Sequence, residues 1–132
     1  MANGSSSEYA RRIHRAQDYI ERNLAGALTL EAIAREACFS PFHFHRIYTA
    51  FTGETLYQFI LRLRLERAAM MLFQNSSPIT EIALACGFGS SAVFARTFRA
   101  TYGISASEYR KECKAESKNR QSSGTAPYYP VH

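Results

Sequence analysis

Two matched sets of residues carry the chemistry of this chain. Arg46 has His45 just before it and Phe42 four residues before, and Arg96 has Ala95 and Ala92 in the same places. An arginine guanidinium is a planar fork of donors that fits a phosphate, or O6 and N7 of guanine, through two parallel hydrogen bonds. Histidine can donate to or accept from a base edge or a phosphate, and an exposed phenylalanine can pack on a thymine methyl or on the sugar backbone. The chain carries a net charge of +5 at pH 7, and its base is mostly arginine. That balance suits a polyanion, although solvated surface charge alone gives the same total.

Other chemistries find less support. His43 and His45 lie two apart, so on a helix they point about 200° apart and do not chelate one ion. Cys38, Cys86 and Cys113 are odd in number, widely spaced and without metal-ligand spacing, which points to a reducing cytoplasm. Cys38 and Cys86 fall at the ends of short helices and read as small buried hydrophobes. A cysteine acting as an alkyl acceptor needs an electropositive, partly exposed setting with a base nearby. Neither Ala37-Cys38-Phe39 nor Ala85-Cys86-Gly87 has an adjacent catalytic pattern, so no enzyme, metal or cofactor is expected. No apolar run is long enough to cross a bilayer, and residues 1–7 lack the basic and hydrophobic regions of a signal peptide. At 46% hydrophobic residues, wholesale disorder is excluded.

Both arginines sit in a duplicated unit. Ile33-Ala34 … Phe39-Ser40 … Phe44-His45-Arg46-Ile47-Tyr48 … Gly53 recurs as Ile82-Ala83 … Phe88-Gly89 … Phe94-Ala95-Arg96-Thr97-Phe98 … Gly103, at an offset of 49 before the turn and 50 after it. One residue is therefore inserted in the second turn. Two copies are too few for a solenoid. Each copy reads as a short helix, a tight turn and a second helix with an arginine on its outer face, which suggests two stretches of DNA groove read by one chain.

The elements follow from spacing and caps. A first helix over Glu8 to Asn23, capped by Ser7, carries Ile13, Ala16, Ile20 and Leu24 as one stripe and ends at Gly26. A second follows Thr29, with Leu30, Ile33, Ala34 and Ala37 inward. Cys38-Phe39-Ser40 is the turn, and Ser40-Pro41 opens a third helix that stops at Gly53. Thr55 opens a long fourth helix to Asn75. Leu56, Phe59, Ile60, Leu61, Leu63, Leu65, Ala68, Met70, Met71, Leu72 and Phe73 make it apolar nearly all round, a buried spine between the copies. Ser77-Pro78 restarts the chain for a fifth helix, with Ile79, Ile82 and Ala83 inward. Gly87-Phe88-Gly89 is the second turn, and a sixth helix runs from Ser90 to Tyr102. Ser105-Ala106-Ser107-Glu108 is a capping box for a seventh. From Ala115 the chain turns polar and reads as a disordered tail or linker. No stretch alternates long enough to be a strand. The expected class is all-α: two helix-turn-helix subdomains, 8–54 and 76–114, joined by a linker helix, 55–75, with flexible ends at 1–7 and 115–132.

The third helix splits cleanly by position. Phe44, Ile47, Tyr48 and Phe51 form a core face, and Phe42, His45, Arg46 and Thr49 lie opposite. A recognition helix needs this split, because the core face fixes its pose while the other projects to base edges. In the sixth helix Phe94, Thr97, Phe98 and Thr101 form the core face. Ala92, Ala95, Arg96 and Arg99 lie outward, with Ser91 nearby. That face grips phosphates or a guanine but has fewer donors for bases, so the first unit should dominate discrimination.

Three segments in combination resemble the DNA-binding domain of AraC/XylS-type transcription regulators. They are Leu30-Glu31-Ala32-Ile33-Ala34 with Ser40-Pro41-Phe42-His43-Phe44-His45-Arg46; Leu63-Arg64-Leu65-Glu66-Arg67-Ala68; and Pro78-Ile79-Thr80-Glu81-Ile82-Ala83 … Gly87-Phe88 … Phe94-Ala95-Arg96-Thr97-Phe98 … Gly103 … Tyr109-Arg110. The resemblance covers residues 8–113. It implies seven helices and a site of roughly 20 base pairs read through two major-groove segments about one turn apart. It also implies a monomer on double-stranded DNA, acting as an activator that contacts RNA polymerase on the bacterial nucleoid. By position, base contacts fall on Phe42, His45, Arg46, Ser91, Ala92, Ala95 and Arg96. Phosphate contacts are expected at Ser40, His43, Thr49, Arg62, Ser90, Arg99 and Ser105. Ala92 stands where relatives often carry serine or glutamine, and Ala106 replaces the usual proline at the start of the seventh helix. The phrase His43-Phe44-His45-Arg46-Ile47 … Glu66-Arg67-Ala68 looks more like members whose ligand-binding domain follows the DNA-binding domain than like stand-alone ones. Ser117 to His132 would then begin an interdomain linker. A protein-interaction module or decoy with weak DNA binding is the alternative, suggested by the sparse second face.

Overall fold

The computed structural model describes residues 2–119 as helices and short turns, with no strand among them. There are seven α-helices: α1 (Ala2–Arg22), α2 (Leu30–Glu36), α3 (Pro41–Thr52), α4 (Leu56–Gln74), α5 (Ile79–Ala85), α6 (Ser91–Tyr102) and α7 (Ala106–Asn119). The chain divides inside α4, after Leu63, into two compact units. The part of the expected tail from residue 120 onward, and His132 with it, lies outside the described residues.

In the first unit the predicted stripe is buried: Ile13, Ala16 and Ile20 of α1, with Leu24 just beyond it, pack with Ile33 and Ala34 of α2, its C-cap Ala37, and Phe44 and Tyr48 of α3. Leu56 and Phe59, at the start of α4, complete that core. In the second unit the buried set is Leu65, Ala68, Ala69 and Leu72 of α4, with Ile82, Ala83, Cys86, Phe88, Phe94, Phe98, Ala106, Tyr109 and Cys113. A ladder of rings runs through each core. Phe44 meets Tyr48 at 5.6 Å and Tyr48 meets Phe59 at 5.9 Å; the counterpart is Phe94 to Phe98 at 5.5 Å and Phe98 to Tyr109 at 5.4 Å. Tilted and edge-on aromatic pairs of this kind add about 0.5–1.5 kcal/mol each beyond their buried area.

From α2 onward the helices are capped where the sequence places their starts, with one exception. Ser40 Oγ accepts from the His43 N–H and Ser90 Oγ from the Val93 N–H, while Gly53 and Gly103 end the same helices with left-handed backbone, φ 79° and 83°. Thr55 and Gln58 cap α4 reciprocally, each side chain accepting from the other's backbone N–H. Ser105 Oγ accepts from the Glu108 N–H at the start of α7. The exception is α5: Pro78 itself takes the N-cap place and no side chain caps the helix. Ser77 instead donates its backbone N–H to Asn75 Oδ1, closing the turn before it.

Several expectations need correction. α1 begins at Ala2, so Ser7 lies within the helix and is not its cap. Serine costs a helix interior only a few tenths of a kcal/mol, and Glu8 pairs with both Arg11 and Arg12 to support that first stretch. α7 continues through Ala115 to Asn119, because Cys113 still anchors it in the core and the residues after it are good helix formers. Met70 is 58% exposed and Phe51 43%, so the apolar surface of α4 and the core face of α3 are narrower than their patterns suggest. Cys38, expected in the core, is exposed.

Candidate nucleic-acid interface

The two helix-turn-helix units are built by one local mechanism. After α2 the chain turns at Cys38, whose φ is 62°, and after α5 at Gly87, whose φ is 95°. In each case the next residue donates its N–H back five residues, Phe39 to Ala34 and Phe88 to Ala83, both at 3.0 Å. The turn residue's own N–H reaches Arg35 in one and Leu84 in the other, both at 3.0 Å. This paired bonding satisfies the last carbonyls of the short helix, and the following phenylalanine folds back onto it. The next serine then starts the recognition helix.

In α3 the inner face is Phe44 and Tyr48, both fully buried, with Ile47 half-buried. Gln17 of α1 donates to the Tyr48 hydroxyl at 3.3 Å, and burial pushes that phenol above its ordinary value, so it stays neutral beneath the helix. The opposite face brings Phe42, His45 and Arg46 together as exposed side chains, with Thr49 half-buried beside them. Phe42 is 75% exposed, and the Arg46 guanidinium carbon lies 5.8 Å from its ring centre. Thr49 donates its hydroxyl to the His45 carbonyl, so that proton is already committed. At the amino end Ser40 caps the helix, and His43 is exposed with its ring edge-on to Phe39 at 5.2 Å. The helix has no acidic residue.

In α6 Phe94 and Phe98 are fully buried, while Ser91, Ala92, Ala95, Arg96 and Arg99 share the exposed side. Ser90 caps the helix, and α6 also lacks an acidic residue. Two helices each present arginine without a carboxylate, and each aims its positive amino end outward past a serine cap. That arrangement favours an anionic ligand. Two expected phosphate contacts sit off these helices. Ser105 is at the start of α7. Arg62 lies on α4, where Nη2 pairs with Glu54 Oε2 at 2.6 Å and the guanidinium stacks over Phe59.

Two arginines whose bracing roles leave no local signal in the sequence fix this framework. Arg12 donates to the Cys38 carbonyl at 3.5 Å and lies 4.9 Å from the Phe39 ring centre, tying α1 to the first turn. Arg110 donates to the Ser77 carbonyl at 2.7 Å and to the Leu72 carbonyl at 3.4 Å, satisfying the end of α4. No helix among the described residues is long and apolar enough to cross a membrane. Among those residues no group of three or more His, Cys, Asp or Glu is placed to hold a metal ion.

Comparison with known proteins agrees with this geometry. A family model described as a helix-turn-helix domain matches residues 33–112. The multiple antibiotic resistance protein MarA of Escherichia coli is 32% identical over 98 residues, 74% of this chain and 77% of MarA. The transcriptional regulator ArgR of Pseudomonas aeruginosa is 36% identical over 93 residues, 70% of this chain, but the chain spans only 28% of ArgR. Among solved structures, an AraC-type regulator from Chromobacterium violaceum superposes with a TM-score of 0.71 at 31% identity, over 83% of this chain and 95% of that one. The DNA-binding domain of the global transcriptional factor AdpA, solved with a target DNA, gives 0.72 at 25% identity, over 85% and 97%.

Proposed function

Because this chain belongs to the AraC-type helix-turn-helix family of DNA-binding transcription regulators, we propose that it inserts α3 and α6 into neighbouring major-groove segments of one duplex and acts as a monomeric activator. The observation that carries this reading is the split of α3: Phe44 and Tyr48 fully buried on one side, Phe42, His45 and Arg46 exposed on the other. Arg46 takes a guanine edge, His45 a neighbouring base or phosphate, and Phe42 an apolar base edge. In α6, Arg96 and Arg99 grip, while Ser91, Ala92 and Ala95 let the helix approach closely and read little. Ser40, Ser90 and Ser105, each at a helix start, and His43 beside the first, meet phosphates. Thr49 and Arg62 lie further back as flanking backbone contacts, Thr49 after turning its hydroxyl from the His45 carbonyl and Arg62 after exchanging Glu54 for phosphate. RNA polymerase is the proposed partner of the bound complex, and a ligand-binding domain following this one is the proposed source of an inducing signal.

Duplexes selected by binding from the source genome test this. Dimethyl sulfate, which attacks guanine N7 in the major groove, should be excluded from two patches about one helical turn apart. A protein that selects no sequence, even at low salt, overturns the reading.

A further inference from the structure

We propose that Phe42 is a positioning residue for Arg46: its ring holds the guanidinium over the outward face of α3 before DNA arrives, so the first unit discriminates through a pre-oriented arginine. The inference rests on the reading that α3 enters the groove.

Among the described residues three arginines lie over aromatic rings: Arg12 over Phe39, Arg62 over Phe59 and Arg46 over Phe42. The first two are also fastened by carboxylates, Glu8 and Glu54. Among the described residues no ion pair holds Arg46, and α3 has no acidic residue to offer one. A guanidinium drawn to a ring face spends none of its five N–H groups on a carboxylate, so they stay open to an acceptor. A carboxylate would occupy some of them. Phe42 therefore restrains Arg46 without consuming the donors that recognition needs.

The backbone that carries the ring is fixed. Phe42 follows Pro41 in the first turn of α3, and Ser40 caps that turn. At 75% exposure it contributes little to the core, so its place on the outward face calls for a different account. Immobilising a long flexible side chain on binding is costly, and a restraint already present in the free protein reduces that cost. The second unit supplies the internal contrast. Ala92 stands four residues before Arg96, so Arg96 has no ring at the corresponding place.

Nitrogen-15 relaxation of the arginine Nε groups in the free protein, with a thermal melt of each variant to check folding, tests the restraint without DNA. Arg46 should be more ordered than Arg96. Phe42→Leu should bring it to the level of Arg96, Phe42→Tyr should preserve it, and Ala92→Phe should order Arg96. On DNA the readout is the affinity ratio between a selected duplex and the same duplex altered at the base pair where Arg46→Ala loses its preference. Phe42→Leu, which keeps an apolar group for the base edge, should shrink that ratio roughly two- to fivefold, and Phe42→Tyr should keep it. Equal mobility of Arg46 and Arg96 in the parent overturns the inference. So does a Phe42→Leu protein with the full ratio at a position where Arg46→Ala has lost it, and in that case the groove reading stands. An Arg46→Ala protein that keeps every base preference overturns the groove reading and this inference with it.

Discussion

Cys38 and Gly87 are the same residue of the fold. Each is the left-handed turn residue of a helix-turn-helix unit, φ 62° and 95°, and each precedes a phenylalanine whose N–H closes 3.0 Å onto an alanine carbonyl five residues back. Glycine adopts that backbone freely, while a Cβ there crowds the following carbonyl. The first unit thus carries a strained position that the second avoids.

Cys38→Gly should therefore stabilise the protein by about 0.5–1 kcal/mol, the left-handed penalty less the extra freedom glycine has when unfolded. Cys38→Val, with a branched side chain at the same φ, should destabilise it. Thermal or urea unfolding of the two variants checks both signs.

The three thiols should differ sharply in reactivity. Cys38 is exposed, whereas Cys86 and Cys113 are buried, and burial pushes both of those thiols up. Iodoacetamide on the native protein should label Cys38 alone within the time that denatured protein is labelled three times, as counted by mass spectrometry.

The same burial makes the second unit sensitive to base. Burial, reinforced by the Glu66 carboxylate, pushes the Tyr102 phenol up to about 12 from 10.0, and Cys86 and Cys113 lie above the ordinary thiol value of 9.0. These groups lose a proton more readily when unfolded, so their contribution is fully present below the unfolded values and falls as pH rises through the folded ones. Stability measured against pH should begin to fall near 9 and continue towards 12, and Cys86→Ala with Cys113→Ala should flatten its first part.

The inner and outer faces of the recognition helices should separate in mutagenesis. Phe44→Ala or Phe98→Ala removes a fully buried ring and should cost about 3–5 kcal/mol of stability. His45→Ala or Arg99→Ala, at exposed positions, should change stability by less than about 0.5 kcal/mol. Denaturant titration distinguishes the two classes.

Much of this was legible in the chain. The stripe Ile13, Ala16, Ile20, Leu24, the caps at Thr29, Ser40, Thr55 and Ser105 and the closing glycines Gly53 and Gly103 are local signals, and short-range physics decides them. Cys38 departs from expectation because its residue type suggests burial, although the offset of 49 sets it on Gly87. Phe59 and Tyr109 belong to the repeat, 50 residues apart, but a helix apolar on most sides hid which ring entered the core. The hold of Glu54 on Arg62, from the turn before α4, and those of Arg12 and Arg110 on backbone carbonyls depend on how elements fold back on one another and leave no periodic trace.

Base-by-base binding of Arg46→Ala beside Arg96→Ala, on duplexes substituted at each position of a selected site, tests the central claim most directly. Arg46→Ala should cost about 1–3 kcal/mol and erase discrimination at one base pair in one half of the site. Arg96→Ala should weaken binding more evenly across sequences and lower the salt dependence. An Arg46→Ala protein that binds with the parent's affinity and the parent's preference at every position would contradict the account.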